Sequence, residues 1–185
     1  MASVTARKKR LSVASGSSFE APDEKGRRGM VSTLTTNRRE FLRQRAQVER
    51  LLGHLAELLE DIADAEADAS WRAPAVPIDA VPDRVADLCA RLRTLFFLEE
   101  TDDALAEVAA MQPTLRDQLE GLHGEHPQLL ELLEQIQELA GSSVRPASTW
   151  DDVESHFHRF QHALSHHQQR HDELVELVAV AVLDE

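Results

Sequence analysis

Phe157-His158-Arg159-Phe160-Gln161-His162-Ala163-Leu164-Ser165-His166-His167-Gln168-Gln169-Arg170-His171-Asp172-Glu173-Leu174-Val175-Glu176-Leu177-Val178 is the stretch on which the fold turns. Within it Phe157, Phe160, Leu164, His167, His171, Leu174 and Val178 recur at alternating steps of three and four. That spacing places them on one face of a helix. The face is apolar except at His167 and His171, which lie four apart and so aim their rings at one point.

The same period recurs three more times upstream. One helix is expected over about 38–69, with Leu52, Leu55, Leu59 and Ile62 as a broad stripe and Leu51, His54 and Leu58 beside it. A second is expected from Val81-Pro82-Asp83 to about 110, with Val85, Leu88, Leu92, Leu95, Glu99 and Ala106 facing inward. A third covers about 114–140 and carries Leu115, Leu119, Leu122, His126, Leu129, Leu133 and Ile136. The fourth follows Ser148 or Thr149 as cap and runs to about 182. Proline-bearing breaks near Pro74, Pro113 and Pro146 separate them. Connections this short favour antiparallel neighbours, so the expected fold is all-α: an up-down-up-down antiparallel four-helix bundle.

Composition agrees and narrows the function classes. The 185 residues include nine His, one Cys and no Tyr, with 4% aromatics, and the net charge is −13. Cys89 alone can form neither a disulfide framework nor a cysteine zinc motif. No apolar run is long enough to span a membrane. Residues 1–36 hold seven basic and three acidic side chains and no helical period, which predicts a disordered basic tail. Residues 37–185 form the predicted bundle and carry the remaining −17, a charge that repels phosphates and excludes nucleic acid as partner. Asn37-Arg38-Arg39-Glu40-Phe41-Leu42 has the look of a twin-arginine export signal, but the residues after it are charged, so the chain is expected to be cytoplasmic.

Each inner stripe is interrupted near its middle by His or Glu: His54, Glu99, His126, and the pair His167 with His171. Unpaired imidazoles and carboxylates are costly to bury, and one metal ion satisfies several of them together. His156, His158, His162 and His166 fall off the fourth stripe and are assigned to solvent, while His123 beside the third stripe either supports a ligand from behind or is an extra ligand itself. Pro127 inside the third helix removes a hydrogen bond to the carbonyl of His123, so the helix either kinks beside His126 or restarts at Pro127.

These residues resemble the hemerythrin-like family, the HHE cation-binding domains. The resemblance implies a four-helix bundle holding non-haem iron, with ligands on all four helices. His54 matches the first-helix ligand, and Leu95-Phe96-Phe97-Leu98-Glu99-Glu100 is similar to the second-helix stretch. Leu122-His123-Gly124-Glu125-His126 matches the third and His166-His167-Gln168-Gln169-Arg170-His171 the fourth up to its last position. Two departures fall on ligands: Leu95 stands for a His and His171 for a Glu. The resulting set, His54, Glu99, His126, His167 and His171, suits a single Fe or Zn ion better than an oxo-bridged iron pair.

The resemblance thus implies a non-enzymatic metal-binding domain, with iron in one or two non-haem sites, that senses or handles dioxygen, nitric oxide or iron. The alternative is a degenerate, metal-free four-helix module for interaction or regulation, favoured by the apolar Leu95. A carboxylate-bridged oxidase would need several inward Glu residues, and the stripes supply one.

Overall fold

A computed structural model describes the backbone of residues 24–67, 77–142 and 148–183, and side chains over 38–65, 77–142 and 150–180. The described residues are helical, with no strand among them. Five α-helices follow in chain order: α1 (Glu24–Ala67), α2 (Val81–Glu100), α3 (Asp103–Met111), α4 (Pro113–Gly141) and α5 (Ser148–Leu183). A single 3-10 turn, Ile78–Ala80, leads into α2, whose Pro82 occupies the first turn where no amide partner is needed. No helix of the described residues is long and apolar enough to cross a membrane.

At three points the structure departs from the sequence reading or decides what that reading left open. The first helix begins at Glu24, so residues 24–36 of the stretch expected to be disordered are helical, and residues 1–23 lie outside the described ones. Adding residues to an existing helix avoids the unfavourable nucleation step, which lets a weakly patterned segment continue α1 backwards. The second helix, expected to reach about 110, stops at Glu100 and restarts at Asp103. Asp102 is the cause: its carboxylate accepts from the amides of Ala104 and Leu105 at 3.1 and 3.3 Å, capping a new helix. Ala106 is accordingly exposed, and Leu105, Val108 and Ala109 form the buried face of α3. The third difference resolves an alternative: α4 is continuous through Pro127 and does not restart there.

α1 packs on α2, α2 on α4, and α4 on α5, which also touches α1. The cross-helix partners run in opposite senses. Arg93 of α2 pairs with Glu134 of α4, while Glu100, seven residues later, meets His126, eight residues earlier. Arg45 of α1 likewise pairs with Asp172 of α5, and Leu59 and Ile62 sit near Trp150 at that helix's other end.

The apolar interior is divided in two. The larger cluster joins α1, α2, α4 and α5 through residues such as Leu55, Leu88, Leu92, Leu133, Phe157 and Phe160. The smaller joins α3 to α4 and α5 through Leu105, Val108, Leu115, Leu122, Leu174 and Val178. Along α4 the clusters are separated by His126, between Leu122 and Leu129; along α5 by His167 and His171, between Leu164 and Leu174. A polar layer therefore lies between two dry ones, and Glu99 completes it from the last turn of α2.

Candidate metal centre

Glu99, His126 and His167 are all buried, and one ligand atom of each lies within 4.8 Å of the others. They come from α2, α4 and α5, brought together by the helical stripes that bury each residue's neighbours. Nε2 of His126 is 2.9 Å and Nε2 of His167 3.2 Å from the same oxygen, Oε2 of Glu99. The imidazole rings are 5.0 Å apart at 70°, and Phe96 stacks on His126 at 4.0 Å.

The far side of each ring is held as well. Nδ1 of His126 pairs with Glu100 at 2.8 Å, and Nδ1 of His167 with Glu125 at 2.9 Å. Arg170 in turn pairs with the other oxygen of Glu125. A carboxylate behind each histidine orients its ring so that Nε2 faces Glu99, the arrangement found behind metal-bound imidazoles. Two imidazole nitrogens and one carboxylate form a donor set suited to a borderline divalent ion such as iron or zinc.

Electrostatics reflect the mutual dependence of the three. Burial by itself raises the Glu99 carboxyl, but hydrogen bonds from His126 and His167 outweigh it and bring the pKa down to about 2. His167 is pushed down by burial and further up by its bonds to Glu99 and Glu125, so it ends above its ordinary value. Each group thus stabilises the charged form of its neighbour, as a bound cation does for Glu99.

Of the five residues singled out by sequence, these three meet. His171 is buried and stacks on Phe41 at 5.2 Å, yet its Nδ1 has no hydrogen-bond partner and it stands outside the three-residue group. Burial lowers its pKa. His54 is a correction: it is exposed on α1 and away from the centre. The buried side of α1 follows Val48, Leu55, Leu58, Leu59 and Ile62, and His54 falls roughly a quarter turn from its middle. The buried polar residue of α1 is Gln44, whose amide donates to Glu40 at 2.7 Å while its own oxygen is unpartnered. His123 lies beside the centre, its ring 5.6 Å from that of His126, with an unpartnered Nε2. His158, His162 and His166 are exposed, in line with their off-stripe positions, and Cys89 is part of the larger apolar cluster.

Sequence reasoning did not find Glu100, Glu125 or Arg170. Each sits one position from an inward residue, and a helix position 100° away leaves the apolar stripe that singles out inward groups. Their signal was the doublets Glu99-Glu100 and Glu125-His126: an inward ligand followed or preceded by a carboxylate that can reach a ring on another helix. A cleft of ≈ 290 Å³ opens beside the centre between α1, α3 and α5, with Glu99 and His171 among its lining residues. Comparisons with protein-family models, curated proteins and solved structures return no match to this chain.

Proposed function

We propose that the protein is a metal-binding domain in which Glu99, His126 and His167 hold a single divalent ion, iron first and zinc second, within an up-down-up-down four-helix bundle of hemerythrin-like type. The observation that carries this reading is the pair of carboxylates behind the two histidines: Glu100 and Glu125 aim both Nε2 atoms at Glu99. Three protein donors leave further coordination positions, the feature that a domain sensing or handling dioxygen or nitric oxide requires. The role is binding and sensing rather than catalysis, in a cytoplasmic setting, and with no nucleic acid engaged by so acidic a body.

A second reading, a metal-free interaction module, is favoured by Leu95 and His54. Leu95 is buried at the position where the resembling family carries a ligand, and exposed His54 supplies none from α1. Elemental analysis decides between them, using protein purified without a histidine tag and then loaded anaerobically with iron(II). One equivalent of tightly held metal is the expected result. Less than about a tenth of an equivalent, with a melting temperature indifferent to chelator, overturns the metal reading, because an ion that binds only the folded state must stabilise it.

A further inference from the structure

The cleft beside the centre has a polar floor and an apolar wall. Glu99 and His171 line it, and both are more than nine-tenths buried. His171 is the informative one, since its buried Nδ1 makes no hydrogen bond, with Asp172 Oδ1 standing 3.9 Å away. An imidazole left unsatisfied in this way is destabilising unless something fills the need. Phe41, Leu98, Leu105 and Val175 make the walls. Around the cleft Arg45 and Asp172 pair at 2.6 Å, the Asp102 carboxylate is taken up by the amides of Ala104 and Leu105, and Arg38 adds a cation. The volume of ≈ 290 Å³ is room for about ten water-sized groups, which is the scale of a small organic molecule rather than a peptide.

We infer that this cleft binds a small amphiphilic monocarboxylate, its short alkyl chain against Phe41, Leu98 and Val175 and its head group toward His171 and the metal centre. The inference rests on the metal-binding reading, because the ion offsets the charge of Glu99 and makes the floor attractive to an anion. His171 offers its buried Nδ1 to the carboxylate head group in place of the partner it lacks. An alcohol of equal length shares the apolar contacts and loses the charge; acetate keeps the charge and loses the contacts.

Titration calorimetry on the full chain tests this, first with zinc and then with hexanoate added to the zinc-loaded protein. Hexanoate is expected to bind, with acetate and hexanol each at least tenfold weaker. Ala179→Trp, at an exposed position on the cleft wall, should abolish hexanoate binding while leaving zinc affinity within twofold. His171→Phe, which keeps the ring on Phe41, should weaken hexanoate at least tenfold. If zinc binds and hexanoate does not, or if Ala179→Trp binds hexanoate as the natural protein does, the cleft inference is overturned and the metal reading stands. If zinc itself fails to bind, the metal reading falls and the inference falls with it.

Discussion

Nε2 of His126 and Oε2 of Glu99 meet at 2.9 Å, with both side chains at most 4% exposed. Such a buried pair is costly to assemble and more costly to break, since removing one partner strands the other's charge or dipole. In metal-free protein Glu99→Ala should therefore cost about 3–5 kcal/mol in urea unfolding. Replacing Glu99, His126 and His167 together by Leu should leave the metal-free protein as stable as the natural one or more so, while metal binding disappears. A triple variant that loses several kcal/mol would mean that these residues hold the fold together and are not retained for a ligand.

The carboxylates behind the rings give a second expectation. Glu100→Gln and Glu125→Gln keep size and hydrogen bonding but remove the negative charge behind His126 and His167. Each should lower metal affinity by about 10–100-fold in a competition titration with a chromophoric chelator. Glu134→Gln, which breaks the exposed pair with Arg93 away from the two rings, is the control and should leave metal affinity unchanged. Equal affinity in all three would remove the ground on which the metal reading stands.

Histidine titrations followed by NMR in metal-free protein should separate in opposite directions. His167 is raised above its ordinary 6.5, so its contribution to stability is fully present below pH 6.5 and fades as pH rises through the raised value. His171 and His123 are lowered, mainly by burial, so each withdraws stability as pH falls from 6.5 through its depressed value. His171→Phe should accordingly gain more on the natural protein at pH 5 than at pH 8. Glu99 acts lower still, its contribution present above 4.5 and lost as pH falls toward about 2. A gain for His171→Phe that is the same at both pH values would show that His171 is not held neutral by burial.

The break between α2 and α3 depends on one side chain. Asp102→Ala removes the acceptor for the amides of Ala104 and Leu105 and should cost about 1 kcal/mol in urea unfolding. Asp102→Asn, which caps as well, should cost only a few tenths. Equal losses in both would place the role of Asp102 elsewhere than in the cap.

How far the sequence could be read follows from what periodicity measures. The α4 and α5 stripes were legible because long runs at steps of three and four leave little freedom in which face is inward. His126 and His167 interrupt such runs, and they are buried. On α1 two neighbouring stripes competed, and a rotation of a quarter turn separates an inward His54 from an exposed one; only packing against α2 and α5 decides it. The α2–α3 break was hidden for a different reason, because Ala106 continues the apolar period across Asp102 and a capping aspartate looks like any surface acid. Glu100 and Glu125 were out of reach of a single-helix argument, since each acts on a ring that another helix presents.

The donors are strung out along the chain, His126 following Glu99 by 27 residues and His167 following it by 68. That spacing puts the centre on a timetable. While the chain is being synthesised, an ion that arrives early meets two donors at most, Glu99 and His126, once α2 and α4 have paired. The third waits for α5, which also brings Phe157, Phe160 and Leu164 to the larger apolar cluster. On the metal-binding reading proposed above, His167 is a clasp: the docking of the last helix is what supplies the third donor.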